Sequence, residues 1–479
     1  MKKIILTLGL TLPALFAIAQ TSQSDSLKVA EAKKRQAPLK PVKFSLNEDG
    51  THFIQFAALV QAQMRYNENN PGSTVNGTPD QNTWDVGLRR VRFQLIGQLT
   101  DRVFFYAQVG ENSKNYLTSR KGGFFIHDAI AEYAFIKKHL SVGMGLSSWV
   151  GPLRYSSPGV GSFMSMDGPI YQQTTNDLND QFVRRYGAYA KGKLGKLDYR
   201  VSIAKPFIVN PNNVAGVAHQ AGVPLLGGTG TGLAYDHSTF STQDPEAQFN
   251  SYLSYQFFDQ ESNLTPYNTG SYYGNKKVFN IGGGIQYQNN AMWHKKFNSA
   301  TGEADTVRTA LLIAGVDVFY DVPLNKDKGT ALSVYAAYMH SDYGPNYTRQ
   351  LGVMNAADAT PSAGATANGA LAGSGGSAFA INGSGNTFFG QVGYKFKNEL
   401  LGSYGTLMPY AMVQASQYYN FSSQMVMYHI GINWLLKGQN SKISLDYQDR
   451  PYFSSDVSDG TITQSARRGM VVLQYQISF

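Results

Sequence analysis

Cysteine is absent from the 479 residues, which removes a disulfide framework, a thiolate metal site and a cysteine nucleophile together. That absence does not argue against an oxidising compartment; it means only that no disulfide is used. Charge is scarce, at 15% of residues. The eight histidines are scattered, with no pair at metal-ligand spacing. Long apolar runs are missing too. Beyond the stretch Ile4–Ile18, nothing approaches the roughly 20 apolar residues that a membrane-spanning helix needs. If the chain lies in a membrane, it crosses by strands, because only helices and closed barrels satisfy their backbone in lipid. What is abundant is aromatic and small: 30 Tyr, 27 Phe and 49 Gly. Many interface aromatics and tight turns fit a transmembrane barrel better than two or three soluble domains.

The first residues, Met1-Lys2-Lys3, precede the apolar run and the small-x-small site Ala17-Ile18-Ala19. This is the pattern of a secretory signal peptide, and cleavage is expected after Ala19. The other reading, a membrane anchor, needs a longer run. Residues 20–43 are polar and basic; Ser26–Gln36 could form a short helix, but a solvated periplasmic tail accounts for the stretch. The formal charge of +9 is concentrated here. Lys2 and Lys3 carry two of those charges and residues 21–43 a net four, which leaves +3 over 44–479. Nucleic-acid binding is therefore a poor inference from the charge.

From Phe44 onward the chain alternates with the strand period of two. Ile54, Phe56, Ala58, Val60, Ala62 and Met64 share one face, with Gln55, Gln61, Gln63 and Arg65 on the other. Val91, Phe93 and Leu95 oppose Arg90, Arg92 and Gln94. Val426, Tyr428, Ile430, Ile432 and Trp434 form another apolar face. In the last segment Val471, Leu473, Tyr475, Ile477 and Phe479 alternate with Met470, Val472, Gln474, Gln476 and Ser478. Counted in this way, sixteen strands are expected: seven before residue 206 and nine between 248 and 479.

The connections alternate as well. Short ones are expected at 100–101, 137–139, 192–196, 322–329, 398–404 and 438–440. Long ones fall at 67–83, 111–123, 150–180, 207–247, 290–308, 342–385 and 453–466. Short periplasmic turns and long external loops are the pattern of an outer-membrane barrel. Two connections depart from it: 259–276 is long for a turn, and 419–423 is short for a loop. The Ala-, Gly-, Ser- and Thr-rich stretch Asn355–Ser384 is expected to be flexible. A secreted β-propeller or sandwich would use strands of 4–8 residues, shorter than these. The fold class is thus all-β, a transmembrane antiparallel barrel of about 16 strands over residues 44–479.

Arg467–Phe479 resembles the closing strand of a bacterial outer-membrane barrel, in which the final Phe is typically the signal read by the barrel-assembly machinery. Leu88-Arg89-Arg90-Val91-Arg92-Phe93, followed by Gly97 and Asp101, resembles porins of the phosphate-selective porin O and P type. Asp128-Ala129 before Glu132-Tyr133, and Arg184-Arg185-Tyr186-Gly187, are similar to them as well. The runs Gly315–Leu324 and Asp342–Tyr347 resemble the Bacteroidota branch of such porins. The resemblance implies an outer-membrane protein of a Gram-negative bacterium, surrounded by lipid and usually trimeric. It would pass small hydrophilic solutes and ions and often favour anions.

Such a protein performs no bond chemistry, and no enzyme, cofactor or resident metal is expected. Selectivity would come from pore width and lining charge. Parity places Arg65, Arg90, Arg92 and Arg185 inside the barrel. Asp128 and Glu132 are the acids expected to set up a transverse field, and Asp317 is also inward. The third external loop, 150–180, is the expected constriction loop, carrying Arg154, Tyr155 and Asp167. The arginine row also has a plainer reading, a salt-bridge network that stiffens the wall, and the two can coexist. With +3 over the barrel and acids among the inward residues, the expectation is weak anion preference, phosphate included. The rivals are a structural or adhesive barrel with a plugged lumen, a channel dedicated to one solute, and a barrel hydrolase. Gly228–Gly232 lacks the Lys and following helix of a phosphate cradle. Gly282-Gly283-Gly284 lies within a strand, where it would allow a bend.

Overall fold

The computed structural model describes residues 42–118, 123–149, 151–209, 237–297, 304–358, 370–456 and 461–479. The leader, most of the basic tail and Gly228–Gly232 lie outside the described residues. Sixteen strands form the wall. The first eight are β1 (Phe53–Glu68), β2 (Asn82–Gln98), β3 (Val103–Lys114), β4 (Phe125–Ile136), β5 (Leu140–Ser147), β6 (Arg185–Leu194), β7 (Leu197–Lys205) and β8 (Gln248–Gln256). The second eight are β9 (Val278–Phe297), β10 (Ala304–Asn325), β11 (Thr330–Asp342), β12 (Gly385–Lys395), β13 (Thr406–Tyr418), β14 (Met425–Leu435), β15 (Ser441–Ser455) and β16 (Ile462–Ser478). Each pairs antiparallel with its neighbour in sequence, and β16 returns to β1 from Asn67↔Met470 to Leu59↔Ser478. The barrel is closed. All sixteen strands expected from alternation are present.

A short leading strand, Val42–Ser45, pairs with the first residues of β1, Phe53–Phe56. Phe479 exchanges both backbone hydrogen bonds with Ala58, at 3.0 and 3.1 Å. The leading strand and β16 therefore sit end to end along β1, and together they cover its edge.

Parity decides what faces lipid. Along β16, Val471, Leu473, Tyr475 and Ile477 are exposed outward, whereas Met470, Val472, Gln474 and Gln476 are buried in the lumen. The outward band continues through residues such as Phe93, Tyr186, Leu253, Val316, Phe388 and Ile430. A band of this kind is stable only in hydrocarbon. Inside, amide side chains bond across strands: Gln61 to Gln476 at 2.8 Å, Gln63 to Gln474 at 2.9 Å and Gln94 to Gln108 at 2.7 Å.

Three inward tyrosines lie flat across glycines of the neighbouring strand: Tyr189 over Gly143, Tyr252 over Gly282 and Tyr410 over Gly431. A Cβ at any of these glycines would come within 2.7 Å of the ring. Their hydroxyls donate to Glu132, Asp317 and Asp446 at 2.8, 2.9 and 2.5 Å. Gly282 therefore makes room for a ring.

Candidate functional site: the lumen and its constriction

The lumen is largely occupied by chain. Loop 3, residues 148–184, folds inward and crosses it. The Arg154 amide donates to Asp317 of β10 at 2.6 Å. Asn433 of β14 holds the Met164 carbonyl at 2.7 Å, and Gln476 of β16 holds that of Gly161 at 2.7 Å. On the return, Thr174 and Asn179 bond Gln286 and Gln288 of β9. Leu153, Tyr155, Phe163 and Tyr171 pack with Phe319, Tyr335, Met339 and Phe389 of β10–β12 into one apolar core. Loop 3 is thereby bound to the β9–β16 wall.

Two further segments meet it. In loop 6, residues 343–384, Arg349 donates to the Asn176 carbonyl at 2.6 Å, and Arg65 holds the Val353 carbonyl at 2.7 Å. The expectation of flexibility over Asn355–Ser384 does not hold for its described part. Leu371, Ala378, Ala380 and Ile381 are buried, and Phe379–Gly383 pairs with Thr348–Leu351. Small residues here permit close packing. The long turn-end connection, 257–277, called T4 below, does not hang into the periplasm either. It folds up the lumen, where Asn268–Thr269 pairs in parallel with Pro158–Gly159 of loop 3. Glu261 of T4 and Arg154 of loop 3 form a bidentate ion pair at 2.6 and 2.7 Å, with Arg154 1% exposed and stacked 3.8 Å from the Phe319 ring. Burial alone would raise the Glu261 carboxyl, but the Arg154 charge outweighs it and holds it below the usual range.

A cavity of about 530 Å³ lies along the β1–β3 side. It is bordered by Leu351–Met354 of loop 6 towards one end and by Gln439, Ser478 and Phe479 at the turn end. Four arginines line it, Arg89, Arg90, Arg92 and Arg184, against one acid, Asp177. Arg89 and Arg90 share a single carboxylate, Asp167 of loop 3, at 3.1 and 2.5 Å. Burial would raise that carboxyl, but Arg89 and Arg90 together hold it below its ordinary value. Arg92 bonds the Val91 and Glu111 carbonyls, at 2.9 and 2.7 Å, and the Asn112 amide oxygen. No carboxylate lies within 4 Å of it among the described residues.

Of the ten residues singled out in the sequence, only Arg90 and Arg92 border this cavity. Arg65 is inward but paired with Asp85 at 2.6 Å, and Arg185 with Asp180 at 3.0 Å. Asp128 and Glu132 are the acids expected to oppose the arginine row. They lie on β4, two strands from it, and each has its own cation: Arg184 at 3.4 Å and Lys191 at 2.8 Å. Asp317 accepts from the Arg154 amide and from the Tyr252 and Tyr335 hydroxyls. Tyr155 is buried, donating to the Gly270 carbonyl at 2.9 Å. Asp167 reaches the wall arginines.

Strand parity alone would turn Arg89 outward. A β-bulge brings it in: Gln61 pairs with Arg90 and the next residue, Ala62, with Leu88, so Arg89 is the extra residue. Both adjacent arginines then point inward. The signal is present in the sequence, because the outward residues Leu88 and Val91 stand three apart where the strand period demands two. Arg184 and Asp177 lie on loop 3, where parity carries no information.

No known family model matches the sequence, and no curated protein matches it. Among solved structures it is similar to OprB of Pseudomonas putida, with 11% identity over 89% of this chain and 94% of that one and a TM-score of 0.50. An anion-selective porin from Comamonas acidovorans aligns at 10% identity over 89% and 99%, with a TM-score of 0.43. The trimer form of OmpT, an outer membrane protein of Vibrio cholerae, aligns at 9% over 89% and 99%, with a TM-score of 0.42. Likeness at this level is one of fold. The fold is that of the outer-membrane porins, and the protein is a multi-pass β-barrel of the outer membrane.

Proposed function

We propose that the protein is a diffusion channel for small hydrophilic solutes and ions with a weak preference for anions. The observation that carries this reading is the lining of the cavity, four arginines to one carboxylate, with no carboxylate within 4 Å of Arg92 among the described residues. In a narrow lumen with low-dielectric walls, fixed cations lower the energy of a passing anion and raise that of a cation. Asp167 offsets one charge of the Arg89–Arg90 pair and Asp128 part of Arg184. The preference is therefore weak. Phosphate falls within this class, and the resemblance to phosphate-selective porins favours testing it first, although the cations are too few for a continuous ladder. We assign Met1–Ala19 to a cleaved leader and residues 20–43 to a periplasmic tail, whose last two residues, Val42 and Lys43, join the sheet beside β1. The assembly is read as a homotrimer inserted by the barrel-assembly machinery, and the protein as no enzyme. The extent of chain inside the lumen favours one rival, a plugged barrel of structural role. Single-channel conductance of the purified protein separates the two: discrete openings in chloride, slowed or blocked by added phosphate, are expected, and a silent barrel contradicts the channel.

The same lining gives a pH dependence. Burial and then the neighbouring Asp180 raise the Asp177 carboxyl above its ordinary value, against the opposing pull of the Phe182 amide, which it accepts from at 3.0 Å, and of the Arg349 and Arg184 charges. As pH falls, Asp177 takes up its proton before ordinary carboxylates do, and the lining loses its one acid. Anion preference should rise on acidification from neutral pH. In Asp177→Asn it should already be high at pH 7 and show less dependence on pH, measured as reversal potential at each pH.

A further inference from the structure

We propose that T4 is the second jaw of the constriction and that its Tyr267 is a selectivity-positioning residue, holding Arg184 away from Asp128 and setting the bore with its ring. The proposal rests on the channel reading above and adds a part to it. T4 spans residues 257–277, where the other six turn-end connections span two to ten residues. Thr265, Tyr267, Asn268 and Thr269 border the same cavity as Arg92 and Arg184.

The Tyr267 hydroxyl lies between two opposite charges. It donates to the Asp128 carboxylate and accepts from Arg184 at 2.5 Å. Burial raises the phenol, with Arg184 pulling the other way, to about 12, so the proton that Asp128 receives stays in place at ordinary pH. Arg184 and Asp128 are left 3.4 Å apart, longer than the roughly 2.7–2.9 Å of a closed charge-assisted pair. The hydroxyl occupies the space in which that pair would close. Without it, Arg184 can settle on Asp128, and its charge is lost to the channel.

T4 is also held firmly enough to impose this geometry. Lys191 of β6 grips the Asn263 and Leu264 carbonyls at 2.7 and 2.8 Å, and Arg200 of β7 reaches that of Pro266 at 3.2 Å. The parallel pairing with loop 3 and the Glu261–Arg154 pair fix the other side. The Tyr267 ring meets Tyr106 edge-on at 5.9 Å.

The test uses the full protein in planar bilayers under a KCl gradient, after heat-modifiable gel migration has shown that each variant is folded. Tyr267→Phe keeps the ring and removes the hydroxyl. Its unitary conductance should match the wild type, while its anion-to-cation ratio falls to that of Arg184→Gln. Tyr267→Ala removes the ring as well, and its conductance should rise by roughly half or more. Wild-type conductance and selectivity in both Tyr267 variants would overturn the proposal. Cation preference in the wild type would count against the anion reading instead, and the conductance of Tyr267→Ala would then decide the role of T4 alone.

Discussion

Replacing Arg92 by Glu turns the weak anion preference into a cation preference, with the barrel still folded. Arg92 borders the cavity and has no carboxylate partner within 4 Å among the described residues, so its charge is not offset locally. Its hydrogen bonds go to two carbonyls and one amide oxygen, all neutral. An ion about 4 Å from a unit charge in a water-filled lumen feels about 1 kcal/mol. Glu changes the wall by two charge units, and anion and cation respond in opposite senses. The permeability ratio should shift by about tenfold or more. Arg92→Gln should show about half of the effect on a logarithmic scale. Arg65→Gln combined with Asp85→Asn should leave selectivity near the wild-type value, because it removes both charges of a closed pair that does not border the cavity. Reversal potentials of the three variants under one salt gradient read the series.

Glu261→Gln should have the largest effect on the interior. The change leaves the Arg154 guanidinium, 1% exposed, without its bidentate partner. Removing one member of a buried pair costs about 3–5 kcal/mol, most of it the penalty of the stranded charge. Arg154 joins loop 3 to T4 through Glu261 and the Thr269 carbonyl, so the loss falls on the contact between the two inserted segments. The wall, held by its own ladder, should survive. The expected picture is a folded barrel whose loop 3 is released: raised conductance, noisy openings, and faster protease cleavage within 148–184. Arg154→Met with Glu261→Leu removes both charges and should recover much of the order. If Glu261→Gln conducts as quietly as the wild type, the pair does not anchor the constriction.

The wall was legible in the sequence because a strand shows one face to lipid and the other to the lumen, and each residue declares its side. β14 and the part of β16 from Val471 onward are the clearest, since every outward position there is large and apolar. Closure through β16 onto β1 followed from the even count. The interior was less legible. Loop 3 reaches its partners through carbonyls held by Asn433 and Gln476, and any residue offers a carbonyl. The length of T4 stood out, but length gives no direction, and it is contacts such as those of Glu261, Tyr267 and Tyr273 that turn it inward. Arg65 and Arg90 carry the same parity signal, yet one is closed on an acid of the adjacent strand and the other shares an acid delivered by a loop. Parity separates inside from outside. Which inward arginines stay open to the channel depends on chain that arrives from elsewhere.

The most direct test of the central claim is the reversal potential of the unmodified protein across a planar bilayer with KCl more concentrated on one side. The arginine-lined cavity predicts a potential displaced modestly towards that of chloride. A displacement towards that of potassium, or a barrel that never conducts, would contradict it.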